Sequence, residues 1–374
     1  MASCYASPQV VRYPLLALPL SLACLPAEAA CGSGSAPGAG EHADAGADTD
    51  ARASADASAE IGAPDAGPSL AGVLADGQGG PDGIVVDKTS VYWTNHTTGQ
   101  VMKCAIDGCG NQPTVLASEQ AYPAGIAVDA TNVYWADEGL TGTDGQVMKC
   151  ATGGCPAGPT VLASGLTFPG AVVLDAQRVY WTNTGSGTTD GQVVACALSG
   201  CAKPTVLASG LNQPRGIALD RSNVYFTTNA DGGQLLRCPL AGCPAAPTVL
   251  GTGYDDPLGI VVTATTIFFT VYGDEQGGRV LACPLSGCSG AQTTLASKQF
   301  GTQGIALGTT RVYWTDHDGD EVRSCAPGGC GQSPTLFASG EDGPTGIVTD
   351  ATNVYWTDYG SDQANGRIRV QKQP

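Results

Sequence analysis

The string GIVTDATNVYWTD, residues 346–358, decides how the rest of this chain is read. It holds two short runs rich in β-branched and aromatic residues on either side of a polar turn, the pattern of two strands joined by a hairpin. Its aromatic pair, Tyr355-Trp356, has counterparts at Tyr92-Trp93, Tyr134-Trp135, Tyr180-Trp181, Tyr225-Phe226, Phe268-Phe269 and Tyr313-Trp314. Each of the 5 tryptophans sits at this one position. The opening Gly-Ile-x-Val-Asp-like string recurs at residues 83–87, 125–129 and 216–220. After the aromatics come a polar loop, a short apolar stretch ending in a cysteine, a second cysteine, and a Thr-Val-Leu-Ala segment, as at 114–117, 160–163 and 205–208. The period is 42–46 residues. Four short strands repeated at that period predict an all-β fold, a seven-bladed β-propeller with four antiparallel strands per blade.

The ends of the chain set the blade count. The last unit has two strands and a third at 367–370, then stops. Residues 73–77, VLADG, match VLASG at 206–210, and the distance to the next glycine is the same in both places. The last blade is therefore expected to be closed by the N-terminal strand, which leaves no open edge.

Twelve of the 15 cysteines form six pairs of one spacing, C-x4-C: Cys104 and Cys109, Cys150 and Cys155, Cys196 and Cys201, Cys238 and Cys243, Cys283 and Cys288, Cys325 and Cys330. Regular pairs in an exported chain read as disulfides, one in each of six blades. A structural zinc site would need four ligands converging on one ion, and the chain has only 3 histidines. Closing a loop of about six residues contributes roughly 2 kcal/mol per bridge.

Residues 1–31 resemble a secretory leader: an apolar run at 15–25 too short to span a bilayer, then small residues at Ala27, Ala29 and Ala30. Cys24 and Cys31 are the candidate lipid anchors of a lipoprotein. Residues 32–68, mostly Ala, Gly, Asp and Ser, cannot bury enough apolar surface to fold and are expected to be a disordered linker. The propeller is placed at 69–374. The net charge of −17 argues against nucleic acid and anionic membranes as partners. A monomer, exported and secreted or held on the envelope by its lipid, is expected.

In such a propeller the loops between second and third strands, and those between blades, share one face, while the cysteine turns lie on the other. The former are acidic: Asp137, Glu138 and Asp144; Asp190; Asp231; Asp274 and Glu275; Asp316, Asp318, Asp320 and Glu321; Asp358 and Asp362. Loops on a rigid scaffold carry binding residues, although Asp also suits turns for their geometry. From this set Asp137, Glu138, Asp274, Glu275, Asp316, His317, Asp318, Asp320, Glu321 and Asp358 are the candidate ligand-binding residues. Asp316, Asp318 and Asp320 alternate so that they could hold Ca²⁺, although the spacing lacks the glycine and distal glutamate of an EF-hand. His96 and His317 take one slot of their repeats but stand two blades apart, about 15–20 Å on a propeller ring, too far to share an ion. The Asp ending the first strand (Asp87, Asp129, Asp175, Asp220, Asp350) recurs with the repeat and reads as structural. No catalytic triad, phosphate loop or cofactor motif is present.

The aromatic motif resembles the YWTD repeats of low-density-lipoprotein-receptor propellers: Tyr-Trp-Thr-Asp is intact at 313–316 and 355–358, and altered at 92–95, 134–137 and 180–183. That resemblance implies a protein-binding propeller with the Tyr, Trp and Asp as packing and inter-blade contacts, although those propellers have six blades. The Gly-Ile-x-x-Asp and aromatic strings are also similar to the seven-bladed virginiamycin B lyase-like family, which implies a divalent metal with His and Glu on one face. The expected function is an extracytoplasmic binding or scaffold propeller presenting its acidic loop face to a protein or polysaccharide. The alternative is a metal-dependent lyase or hydrolase working on the same face.

Overall fold

The computed structural model describes residues 72–374 apart from 230–231, 274–276 and 363. The leader with Cys24 and Cys31, the linker at 32–68, Asp231, Asp274 and Glu275 lie outside the described residues. Seven four-stranded antiparallel sheets form the blades of a propeller. The innermost strands of blades 1 to 7 are Pro81–Val86, Pro123–Val128, Pro169–Leu174, Pro214–Leu219, Pro257–Val262, Thr302–Leu307 and Pro344–Thr349. Each lies against the next, and that of blade 7 lies against that of blade 1. In blade 7 the N-terminal strand Gly72–Gln78 is the outermost, paired with Gly366–Lys372 through Val73 opposite Arg369 and Ala75 opposite Ile368. The predicted closure is the observed one.

Side chains alternate between the two faces of a strand, so Tyr and Trp of each pair point into opposite neighbours. The cores therefore lie between blades. Tyr92 packs in one cluster with Trp135, Tyr134 with Trp181, Tyr180 with Phe226, Tyr225 with Phe269, Phe268 with Trp314, and Tyr313 with Trp356. The ring closes where Tyr355 packs with Trp93. All five Trp side chains are fully buried.

The repeat supplies partners for most Tyr hydroxyls and Trp indoles of this frame; the exception among the Tyr hydroxyls is Tyr313, whose blade carries Gly308 in place of the Asp. The Asp at the first turn accepts backbone N–H bonds through one oxygen and the Tyr hydroxyl through the other, as at Asp129 with Thr131, Asn132 and Tyr134. The same bond joins Asp87 to Tyr92, Asp175 to Tyr180, Asp220 to Tyr225 and Asp350 to Tyr355. Blade 5 has lost both partners together, carrying Thr263 and Phe268. The Trp indole N–H donates to Gln78 from Trp93, Gln120 from Trp135, Gln299 from Trp314 and Glu341 from Trp356. Where Trp becomes Phe226 or Phe269, the acceptor position holds Leu211 or Tyr254; in blade 3 it holds Leu166, and Trp181 donates to Asn183 instead.

The Thr after Trp joins adjacent blades. Its hydroxyl donates to the carbonyl of the second residue of the next innermost strand: Thr94 to Ala124, Thr270 to Gln303, Thr315 to Thr345 and Thr357 to Asp82. It also accepts the N–H of the glycine in its own innermost strand, as Gly83 donates to Thr94 and Gly346 to Thr357. That glycine is required by close approach: a Cβ on Gly83 would run into the carbonyl of Ala124, and one on Gly346 into that of Asp82.

All six predicted disulfides form. Each also covers the outer strand of the preceding blade: Cys109 Sγ lies 3.7 Å from the Leu74 carbonyl, Cys155 Sγ 3.2 Å from that of Leu116, and Cys330 Sγ 3.2 Å from that of Leu295. Blade 7 has no cysteines, and there the Gln371 amide donates to the Phe337 carbonyl instead. Six bridges of this kind fit an oxidising, extracytoplasmic compartment.

Candidate functional site

Every connection that enters an innermost strand crosses the loop face with a residue of left-handed backbone. Three blades use Gly80, Gly301 and Gly343 there, whereas Tyr122 (φ 57°), Phe168 (φ 47°), Gln213 (φ 47°) and Asp256 (φ 50°) hold the same position elsewhere. Bulky side chains rarely adopt this conformation. The carbonyl of each of these residues accepts the N–H of the first loop residue beyond the second strand, giving a ring of His96, Glu138, Thr184, Asn229, Tyr272, His317 and Tyr359. This ring surrounds the channel mouth.

The structure separates the acidic loop residues into two groups. Most of them build the loops. Asp144 accepts the N–H groups of Leu140 and Thr141, and Asp190 those of Ser186 and Gly187, which holds both carboxyls below the usual range. Asp137, Asp316 and Asp358 end their strands inside the protein, at 5%, 1% and 0% exposure. Burial pushes Asp137 up to about 6 against the Ala121 N–H bond, and Asp316 up to about 6 against the Phe300 N–H bond and Arg323. Asp358 is raised by burial and by neighbouring Glu341, although Arg367 reaches it at 3.1 Å and Arg369 at 3.9 Å. These three side chains are buried at their strand ends rather than displayed on the loops.

The calcium expectation meets the same difficulty. Asp316 points inward and accepts the Phe300 N–H at 2.6 Å. Asp318 accepts the Tyr272 hydroxyl at 2.8 Å and lies 3.0 Å from His317 Nδ1. Asp320 accepts the Gly343 N–H at 3.1 Å, and Glu321 pairs with Arg323. The three aspartates face three different partners rather than one point. Among the described residues no group of three or more His, Cys, Asp or Glu side chains could hold a metal ion.

What the fold does bring together lies at the mouth above blades 1 and 2. Glu138 stands 3.7 Å from His96 Nε2, and His96 stacks on Tyr122 with ring centroids 5.2 Å apart. Desolvation pulls His96 down, but Glu138 and Asp82 outweigh it and leave the imidazole above its usual value. Asp82, on the innermost strand of blade 1, completes the group. Burial raises its carboxyl, Glu138 raises it further, and both His96 and His317 act to lower it. The two histidines do not meet, yet both act on the same carboxylate. Among the described residues none donates a hydrogen bond to the Asp82 side chain.

Asp82 belongs to a strand, not to one of the acidic loops. The signal was in the aligned repeats: the second residue of the innermost strand, after Pro in six blades and before Gly in six, varies through Asp82, Ala124, Gly170, Arg215, Leu258, Gln303 and Thr345. A free position inside a fixed frame lines the channel.

No family model matches the chain, and no curated protein matches it. Among solved structures it is similar to the streptogramin B lyase structure, at 13% identity over 81% of this chain and 97% of that one, with a TM-score of 0.64. It is similar to the Kuenenia stuttgartiensis hydrazine synthase, at 12% identity over 83% and 99%, TM-score 0.64. The nidogen/laminin complex contains a chain similar at 18% identity over 67% and 95%, TM-score 0.50. Both propeller types that the repeats resemble thus have counterparts among its structural neighbours, and at these identities the likeness is one of fold.

Proposed function

We propose that this chain is an extracytoplasmic binding propeller that captures a protein or polysaccharide of the cell envelope at the loop-face mouth of its channel. The observation that carries this reading is the grouping of Asp82, His96, Glu138 and Tyr122, brought from two blades to one rim. Most other carboxylates on the face serve the loops that carry it. The disulfide-strapped ring supplies a rigid frame on which such a group is held without ordering cost at binding. A lipid on Cys24 or Cys31 would hold the domain on a membrane through residues 32–68, and the mass of the mature chain decides that point.

The test is capture of envelope proteins and polysaccharides by the immobilised full chain. His96→Ala with Glu138→Ala should abolish capture while the unfolding midpoint stays that of the wild type. Undiminished capture by the double variant overturns the site.

One observation favours a lyase or hydrolase as second reading: a histidine beside a carboxylate, with its pKa raised, is general acid–base equipment. Ring opening of a streptogramin B by the full chain, lost in His96→Ala, would establish it. An inert wild type, with and without divalent ions, overturns it.

A further inference from the structure

We infer that the loop face takes a neutral polysaccharide, laid along an arc of aromatic rings that runs round the mouth of the channel; this deepens the reading of the mouth as the binding site and rests on it. The rings stand where the loop after the second strand of one blade meets the connection entering the next. Between blades 1 and 2, His96 stacks on Tyr122. Between blades 2 and 3 Phe168 lies against Gly142, and between blades 5 and 6 Tyr272 lies against Gly301. His317 covers Gly343 between blades 6 and 7. Tyr359 covers Gly80 between blades 7 and 1, its hydroxyl 3.3 Å from that of Thr97. These are five successive junctions of the closed ring. The other two carry Thr184 with Gln213 and Asn229 with Asp256, none of them aromatic.

The rings of the arc are displayed rather than buried. All are at least partly exposed, Tyr122 at 37%, and Phe300 beside Gly301 stands 65% exposed. Two of them are held under strain. Tyr122 (φ 57°) and Phe168 (φ 47°) occupy left-handed backbone at a position where three other connections use glycine. Bulky residues rarely adopt that conformation, and such strain collects where the side chain is put to use.

One ring per junction, with Thr97, Glu138 and Asp318 between, suits a pyranose chain. Each sugar offers an apolar C–H face to a ring and hydroxyls at its edge to the polar groups. Blades stand about 10 Å apart, as face-packed sheets do, close to the length of a disaccharide. A folded protein partner would need one contiguous apolar core instead. Here exposed carboxylates separate the rings, Glu138 at 36% and Asp318 at 53%. Those carboxylates and the net charge of −17 repel an acidic glycan, which leaves an uncharged one.

The test is retardation of the full chain in non-denaturing gels that contain hydroxyethylcellulose or dextran, with dissociation constants read from mobility. Tyr359→Ala and Tyr122→Gly should each weaken binding at least about fivefold. Tyr359→Phe keeps the ring, and Val115→Ala trims a side chain 48% exposed on an outer strand; each should change binding by less than about twofold. Because three connections already carry glycine, Tyr122→Gly should keep the wild-type unfolding midpoint. No retardation of the wild type by either polymer, or unchanged retardation of Tyr359→Ala and Tyr122→Gly, would overturn the inference. Capture from an envelope extract that proteinase K destroys and periodate spares would overturn it too, because the partner would then be a polypeptide. If His96→Ala with Glu138→Ala loses envelope capture while neither polymer retards the wild type, only this inference falls; if capture survives in that double variant, the binding site falls.

Discussion

The hydroxyl of Thr357 donates to the backbone carbonyl of Asp82 at 3.0 Å, a contact between residues 275 apart that ties blade 7 to blade 1. The bond has counterparts between other blades, and it fixes the innermost strand that carries Asp82. Thr357→Val should lower stability by about 1–2 kcal/mol, because the carbonyl and the Gly346 N–H are left without the partner. Blade 2 carries Ala136 at this position, fully buried. Ala136→Thr restores the bond toward Gly170 and should add about 0.5–1 kcal/mol in urea unfolding.

The indole bond from Trp93, Trp135 and Trp314 to a glutamine makes a second prediction. Gln299→Leu leaves the buried Trp314 indole N–H without its acceptor and should cost roughly 1–3 kcal/mol. Adding Trp314→Phe should cost less in that background than in the wild type, with a coupling of at least about 1 kcal/mol in the double-mutant cycle. Additive costs would show that the indole bond contributes nothing.

Stability should depend on pH through two opposed sets of aspartates. Asp137 and Asp316 are raised to about 6 by burial, so the folded state holds protons that the unfolded state has lost above 3.8. Their protonated burial is fully favourable below 3.8 and is lost as pH rises through about 6. Asp87, Asp129, Asp175, Asp220 and Asp350 are lowered, burial being outweighed by their hydrogen bonds; their contribution is present above 3.8 and lost as pH falls through their depressed values. The unfolding midpoint should therefore be highest between about pH 4 and 5.5 and fall toward pH 7.5. Asp137→Asn should raise stability at pH 7.5 by roughly 1–3 kcal/mol and flatten this fall. Blades 1 and 3 already carry Asn95 and Asn183 at that position.

The straps between blades can be removed one at a time. Cys104→Ser with Cys109→Ser should cost roughly 2 kcal/mol from loop entropy, with a further loss where the bridge covers Leu74. Gln371→Ala should cost about 1 kcal/mol, since it exposes the Phe337 carbonyl that no disulfide covers. A cost near zero for both would show that the outer strands are held by their sheets alone.

Much of this protein was legible along the chain because a repeat states each rule several times. The period of the aromatic pairs, the cysteine spacing and the match of residues 73–77 to 206–210 settled the blade count, the bridges and the closing strand, all of which depend on local pattern. The acidic loops were legible as loops, but the purpose of each carboxylate was not. Whether an aspartate meets solvent or a backbone N–H depends on a turn or two of backbone angle. Asp316 and Asp318 are two residues apart, yet one ends a buried strand and the other meets Tyr272 of the previous blade. The Thr of the motif looked like one more strand residue until its partner, a carbonyl in the next blade, came into view. The channel mouth depended most on the tertiary structure. Asp82, His96 and Glu138 share no local pattern, and they come together because closure of the ring brings the loops after the second strands of neighbouring blades to one rim. Sequence by itself determined how many blades there are and what holds each one; only the closed ring decided which side chains share a space, because distances across a ring follow from its closure and not from the order of residues along the chain.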